Sequence, residues 1–227
     1  MNIIPQTLGA LLKLVFDIVG NYGLAIIIFT VIVKLALLPL TLTQSKSMKV
    51  MQEIQPKINE IKEKYRNDQQ MMNQKVMEVY QENKINPMAG CLPLLIQFPI
   101  LIGLFSSLRS PEVYVFGSEE AYRAIDTTFL WLSNLADPDV IMLGGIQLPW
   151  ILPILAGATT YISSVMMTTG QSKKDPTQAM MTYLFPIMIL WWGKSFPAGL
   201  TLYWVVSNIF QIAQQYFIMK PGAVKEE

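Results

Sequence analysis

Residues 22–42, YGLAIIIFTVIVKLALLPLTL, decide the fold class of this chain. A helix needs about 20 apolar residues to cross the hydrocarbon core of a bilayer, and these 21 residues contain a single charged side chain, Lys34. The segment is therefore predicted to be a transmembrane helix. A charge at such depth costs about 2.5–3.5 kcal/mol on insertion scales, so the rest of the chain must supply a polar environment for Lys34.

The composition of the whole chain agrees with a membrane protein. Its 227 residues are 52% hydrophobic and 15% charged, whereas soluble domains carry about 25% charged residues, and the mean hydropathy is +0.37. The net charge of +1 lacks the strongly basic character typical of nucleic-acid binding, so no direct nucleic-acid partner is expected. With no histidine and one cysteine, Cys91, an internal disulfide, histidine-based catalysis and a His/Cys metal site are excluded.

Four further segments are apolar and long enough to span a membrane: residues 88–109, 148–169, 177–193 and 196–218. Residues 43–87 contain two runs with apolar side chains every three or four positions, separated by Arg66-Asn67-Asp68, which predicts a helical hairpin. The predicted fold is therefore all-α: a polytopic membrane protein with five transmembrane helices. Two loops and a tail remain, residues 110–147, 170–176 and 219–227.

The distribution of Lys and Arg predicts the orientation in the membrane. Residues 43–88 carry eight of the 17, residues 170–175 and the tail carry two each, and four lie in the other loops. Cytoplasmic loops are enriched in Lys and Arg. The hairpin, the 170–176 loop and the C-terminal tail are therefore predicted to be cytoplasmic, and the N-terminus and the 110–147 loop extracytoplasmic.

Residues 1–21 are predicted to form an amphipathic helix on the extracytoplasmic face of the membrane. Apolar side chains recur there at helical spacing: Leu8, Leu11, Leu12, Val15, Phe16 and Val19. The alternative is that this segment is only a lead-in to the first span. An outside N-terminus normally needs a secretory signal, and none is visible in residues 1–20. We therefore expect the chain to be a mature or trimmed form whose signal has been removed.

Polar side chains in the predicted spans are the candidate partners of Lys34. Thr30 shares its helix face, Gln97 lies in the second span, and the last span carries a polar face: Trp204, Ser207, Asn208 and Gln211. Because such groups must face one another or water, they predict a hydrated groove with one positive charge. The alternatives are snorkelling of Lys34 to the inner interface and ordinary hydrogen bonds between helices.

The sequence predicts a site that attracts a charged partner rather than one that catalyses a reaction. No acid dyad, nucleophile–base pair or phosphate-binding loop appears in the sequence, so we expect no enzyme activity, no cofactor and no metal. A rival hypothesis is a small-solute transporter or channel, but no inverted repeat is apparent and the polar residues thin out toward the outer half. A second rival is an assembly chaperone that holds partner helices without inserting them.

Two motifs resemble a known family. Residues 86–99, NPMAGCLPLLIQFP, are similar to the second-span signature of the YidC/Oxa/Alb membrane protein insertases, and residues 196–204, FPAGLTLYW, followed by Ser207-Asn208 and Gln214, are similar to their last-span signature. Gln55-Pro56-Lys57 and Lys64-Tyr65 resemble their cytoplasmic hairpin. A five-span core without a large extracytoplasmic domain is similar to the Gram-positive bacterial form.

This resemblance implies an insertase of the bacterial plasma membrane that works without nucleotide hydrolysis. It implies a hydrophilic groove that is open to cytosol and lipid and closed outward, with a positive residue, commonly arginine, in the first span. Lys34 occupies the matching position, but it is a lysine where the family commonly has an arginine. The implied partners are membrane lipids and nascent membrane proteins with acidic or polar translocated tails, with the ribosome and the Sec translocon as further candidates.

Overall fold

The computed structural model of the protein describes residues 3–83, 92–168 and 179–219, and these are mostly helical, as predicted. The helices are α1 (Ile3–Val19), α2 (Tyr22–Ala36), α3 (Leu38–Lys64), α4 (Gln69–Glu82), α5 (Leu92–Arg109), α6 (Pro111–Tyr114), α7 (Glu119–Arg123), α8 (Ile151–Thr168), α9 (Phe185–Trp192) and α10 (Ala198–Met219). A π-helical turn, Met180–Leu184, leads into α9, and a 3-10 turn, Gly193–Ser195, follows it.

Two antiparallel strands depart from the all-α prediction. β1 (Val140–Leu143) pairs with β2 (Ile146–Pro149) in the predicted outer loop and at the start of the third apolar segment. Gly144 and Gly145 join the strands with φ values of +58° and +81°, which a tight two-residue hairpin turn requires and which glycine adopts without strain. The apolar composition of this stretch hid the hairpin, because hydropathy alone does not separate a strand from the start of a span.

The first predicted span is bent. α2 begins after Asn21, whose side chain accepts a hydrogen bond from the Leu24 amide (3.0 Å), and it ends at Ala36 rather than at residue 42. Pro39 lies in the first turn of α3, where its missing N–H costs nothing but where it cannot continue the preceding helix. Within the described ranges, no single helix meets the length and hydropathy of a membrane span by itself, whereas α2 and α3 meet them as a pair bent by 61°.

The helices pack around one apolar core. α10 packs against α8 and α2, α9 lies along α8, and α1 lies across α5 and α2. The largest buried apolar side chains of this core come from four of these helices and the outer loop: Leu12, Tyr22, Ile26, Phe29, Leu104, Leu108, Leu135 and Tyr203. The residues that bind α10 to its neighbours therefore also determine where its polar face points.

α1 has one buried and one exposed apolar face. Leu12 and Val15 are buried, whereas Leu14 and Ile18 are largely exposed. The Ser107 hydroxyl of α5 donates to the Pro5 carbonyl of α1 (2.9 Å). The structure thus forms a helix over most of the segment predicted to be amphipathic, and its location on the membrane surface stays a prediction.

The predicted cytoplasmic hairpin is formed by α3 and α4. Ile58 and Val79 are buried between the two helices, and the Lys57 ammonium donates to the Glu82 carboxylate across them (2.9 Å). Asp68 caps α4 by accepting from the Met71 amide (2.9 Å). Few side chains are buried in this pair, because each helix offers a single apolar stripe.

The docking of α1 depends on Gly9. A Cβ atom at this position would lie 2.0 Å from the Tyr114 carbonyl oxygen, a backbone atom that cannot rotate away. We expect Gly9→Ala to lower the midpoint of thermal unfolding in detergent by several degrees, because overpacking costs about 1–3 kcal/mol. Thr7→Ala, on the exposed side of the same helix, is the control. Equal midpoints for the two variants would contradict this close approach.

Candidate functional site

Lys34 lies in the last turn of α2, three residues before the bend at Leu37, and is half-buried. No carboxylate of the described residues forms an ion pair with it. Thr30, one turn earlier, is fully buried, and its hydroxyl donates to the Ile26 carbonyl (2.6 Å). The structure therefore places Thr30 in the core, whereas Lys34 reaches the edge of the packed helices.

The predicted polar face of α10 binds α8. Trp204 Nε1 donates to Thr160 Oγ1 (3.1 Å), and the side-chain amide of Asn208 lies 2.9 Å from the same oxygen. The hydroxyl of Thr160 also donates to the Ala156 carbonyl of its own helix (2.6 Å). Two side chains predicted to line the groove therefore both contact one threonine. These contacts match the alternative hypothesis, in which the polar side chains form hydrogen bonds between helices.

Further along α10 the contacts loosen. Gln211 Nε2 lies 3.5 Å from Met167 Sδ, a weak acceptor, so the Gln211 amide has most of its hydrogen-bonding capacity left. Ser207 is buried behind this face. Gln97 belongs to α5, but its side chain lies outside the described part of the structure. Its place in the groove stays a prediction.

A second group of polar residues connects α10 to the start of α3. The Thr41 hydroxyl donates to Gln214 Oε1 (3.2 Å), and Gln214 Nε2 lies 3.5 Å from Ser45 Oγ. On the same side of α3, Gln52 Nε2 donates to the Met167 carbonyl of α8 (2.6 Å). The base of the hairpin is therefore bonded to both helices that carry the candidate site.

Sequence reasoning missed Ser45 and Gln52 as site residues. Ser45 follows Thr41 by four residues, and Gln52 follows Ser45 by seven, so all three lie on one face of α3. That spacing was the available signal. Gln44 and Gln215 are also buried there, and neither Gln44 Nε2 nor Gln215 Oε1 has a hydrogen-bond partner among the described residues. Because unpaired buried amides are costly, this end of the site favours a polar occupant.

The opposite end of the site is closed by packing. The Asp137 and Leu135 carbonyls of the outer loop accept from the first amides of α10, those of Ala198 and Gly199 (both 2.8 Å). Leu135 and Leu108 are fully buried beneath them. Between α8, α9 and α10 there is only a small, partly open pocket, about large enough for one water molecule, and it is lined mainly by apolar side chains, including Ile189, Phe196 and Leu200. Polar groups thus concentrate at the end of the site from which the α3–α4 hairpin extends.

The described side chains of the candidate site offer groups suited to binding a polar partner. In the described ranges, no group of three His, Cys, Asp or Glu residues could hold a metal ion. Lys34 supplies one positive charge, and Gln44, Gln211 and Gln215 supply amide groups that can donate and accept hydrogen bonds. This combination suits a partner with carboxylates and exposed peptide groups.

Curated proteins with similar sequences are named membrane protein insertases. A family model described as "60Kd inner membrane protein" matches residues 14–226. A membrane protein insertase YidC of Fusobacterium nucleatum is 44% identical over 222 residues, covering 98% of each chain. One from Caldanaerobacter subterraneus is 43% identical, covering 97% of this chain and 96% of the relative.

The fold is also that of a solved insertase. The crystal structure of an active YidC insertase with its first transmembrane domain resolved superposes with a TM-score of 0.63 at 31% identity. The match covers 89% of this chain and 43% of that one. Together with the match over almost the whole sequence, this shows that the chain belongs to the 60Kd inner membrane protein family, which includes the YidC membrane protein insertases.

Proposed function

We propose that this protein is a membrane protein insertase of the bacterial inner membrane that receives polar segments of nascent membrane proteins in a one-sided groove. The observation that carries the proposal is the Lys34 ammonium, half-buried and without a described carboxylate partner. The groove lies between α2, the first turns of α3, α8 and α10. Two features support it: buried amide atoms of Gln44 and Gln215 without a described partner at the hairpin end, and mainly apolar packing at the other end, where the Tyr22 hydroxyl is buried.

The membrane arrangement that fits this groove has five spans. They are residues 22–42, 88–109, 148–169, 177–193 and 196–218, with the bend at Leu37 inside the first. The α3–α4 hairpin, the 170–176 loop and the tail 219–227 lie in the cytosol, and α1 and the 110–147 loop lie outside. The excess of Lys and Arg in the cytoplasmic segments supports this orientation.

Lys34 attracts the substrate. In a site of low dielectric, an ammonium and a carboxylate about 4 Å apart attract each other by about 4 kcal/mol at an effective dielectric constant of 20. Acidic residues of a translocated tail therefore gain most by entering the groove. Gln97, Gln211 and the part of the Asn208 amide that its contacts with Thr159 and Thr160 leave free replace part of the hydration that the tail loses. This lowers the cost of moving polar groups into the bilayer.

Two residue pairs shape the wall of the groove. Trp204 and Asn208 hold α10 to Thr160 of α8, so they set the width of the groove. Thr30 and Ser207 are buried and pack behind it. Insertion is then completed by the substrate itself, whose hydrophobic segment partitions from the groove into lipid without nucleotide hydrolysis. The hairpin provides the first contact with the substrate, and the ribosome and the Sec translocon are the partners that could deliver it.

The charge of Lys34 can be tested with matched substrates. We expect Lys34→Glu to reduce insertion of a substrate with an acidic translocated tail at least about tenfold, since attraction of several kcal/mol becomes repulsion. Lys34→Ala should reduce it less, and Lys34→Arg should retain activity. Insertion is measured in proteoliposomes by protease protection of the tail.

Lys46→Glu is the control, because it makes the same charge change at an exposed position of α3. A substrate with asparagine in place of the tail carboxylates should be insensitive to Lys34→Glu. Wild-type insertion of the acidic substrate by Lys34→Glu would reject the attraction step.

Water access distinguishes this insertase from the rival transporter or channel. In a Cys91→Ser background, we expect Lys34→Cys and Gln211→Cys to react with a membrane-impermeant maleimide added from the cytoplasmic side only. Leu200→Cys, at the packed outer end, should stay unmodified from either side. Labelling of position 34 from both sides, together with solute flux in liposomes, would instead favour a path through the protein.

A further inference from the structure

The β1–β2 hairpin has one entirely aliphatic face. The register pairs Ile141 with Leu148 and Leu143 with Ile146, and side chains alternate between the two faces of a strand, so these four lie on one side. Leu143 and Ile146 at the tip are 66% and 62% exposed. No charged residue occurs between Val140 and Ser172. An exposed aliphatic face without a charge at its edge is unusual for a surface in contact with water.

The root of this hairpin is held firmly. Asp139 is 5% exposed, and its carboxylate accepts from the Leu152 amide in the first turn of α8 (2.7 Å) and from Trp131 Nε1 (3.3 Å). Its carbonyl accepts from the Trp150 amide (3.1 Å). The hairpin therefore extends from the start of α8 with a fixed direction rather than as a loose loop.

The surroundings of the root indicate what covers the aliphatic face. Trp131 and Trp150 at the root are exposed, and β2 lies against the 3-10 turn that follows exposed Trp191 and Trp192. Tryptophans collect at the level of lipid headgroups. The exposed face of α8 that begins directly below is also apolar: Ile154, Leu155, Tyr161, Ile162 and Val165.

We propose that the β1–β2 hairpin is a membrane anchor whose aliphatic face inserts into the extracytoplasmic leaflet. β2 contacts α8, whose exposed side chains are apolar, and this inference rests on the proposed placement of α8 across the bilayer. A second protein is a poorer occupant, because four side chains offer far less than the about 800 Å² per partner of a stable interface. The hairpin lies at the headgroup–acyl boundary and not deeper, because a two-stranded sheet has unpaired backbone groups on both edges.

Spin labels measure this depth directly. Single cysteines at Leu143 and Ile146 are labelled with a nitroxide in the Cys91→Ser full chain, reconstituted in vesicles of phosphatidylethanolamine and phosphatidylglycerol. We expect several-fold higher accessibility to oxygen than to a water-soluble nickel chelate at both positions. Glu120→Cys on exposed α7 is the water reference and Ile162→Cys on α8 is the hydrocarbon reference.

A matched pair of variants tests the aliphatic face itself. With the label at position 146, Leu143→Asp should shift the accessibility toward that of Glu120, whereas Gln147→Asp, on the opposite face of the hairpin, should leave it unchanged. An equal effect of both variants would overturn the proposal.

The other outcomes separate the anchor from the proposed membrane arrangement. Nickel accessibility at 143 and 146 equal to that at 120, with position 162 in hydrocarbon, overturns the anchor alone. Labels at 143 and 146 that neither reagent reaches, and that become accessible when the protein is diluted in lipid, show contact with a second copy and also overturn it. Nickel access at position 162 overturns the placement of α8 and with it both proposals.

Discussion

An ammonium group among uncharged helices is the constraint on which the rest of this structure depends. Lys34 has no described carboxylate partner, so its charge must be solvated by water, by neutral oxygen atoms or by a ligand. The bend at Leu37 places it about one turn before α3, whose polar side chains begin with Thr41, Thr43 and Gln44. The packing of α10 on α8 and α2 then decides how much room remains beside it.

The two ends of the candidate site are held together by different kinds of interaction. At the outer end, the carbonyls of Asp137 and Leu135 cap α10 and aliphatic side chains fill the space below. At the hairpin end, amides and hydroxyls join α3, α8 and α10, and Gln44 Nε2 and Gln215 Oε1 have no partner among the described residues. A site with one sealed and one polar end can hold a peptide without becoming a path for solutes.

Much of this organisation could be predicted from the sequence, because hydropathy, charge distribution and helical spacing are local signals. They gave the apolar segments, the hairpin helices and the importance of Lys34. They could not identify the partner of Asn208, because Thr160 approaches it only through helix packing. They could not predict the bend after α2 either, because Pro39 lies within an unbroken apolar run. Gln52 was missed for a related reason: the predicted boundary at residue 42 assigned it to the hairpin rather than to the site. The Gly144-Gly145 turn was a signal available in the sequence, obscured by the apolar residues around it.

The bend between α2 and α3 has a mechanical consequence. α3 is a continuous helix of 27 residues, so its far end lies about 40 Å from Leu37, whereas Ser45, which touches Gln214, lies about 12 Å away at 1.5 Å per residue. For a rotation about Leu37, the tip and Ser45 lie on lever arms of roughly three to one, and the bond from Gln52 to α8 resists that rotation from a point between them. A force applied at the tip of the hairpin is therefore about three times larger at the contact between Ser45 and α10. A 10° rotation that moves the tip by about 7 Å displaces Ser45 by only about 2 Å.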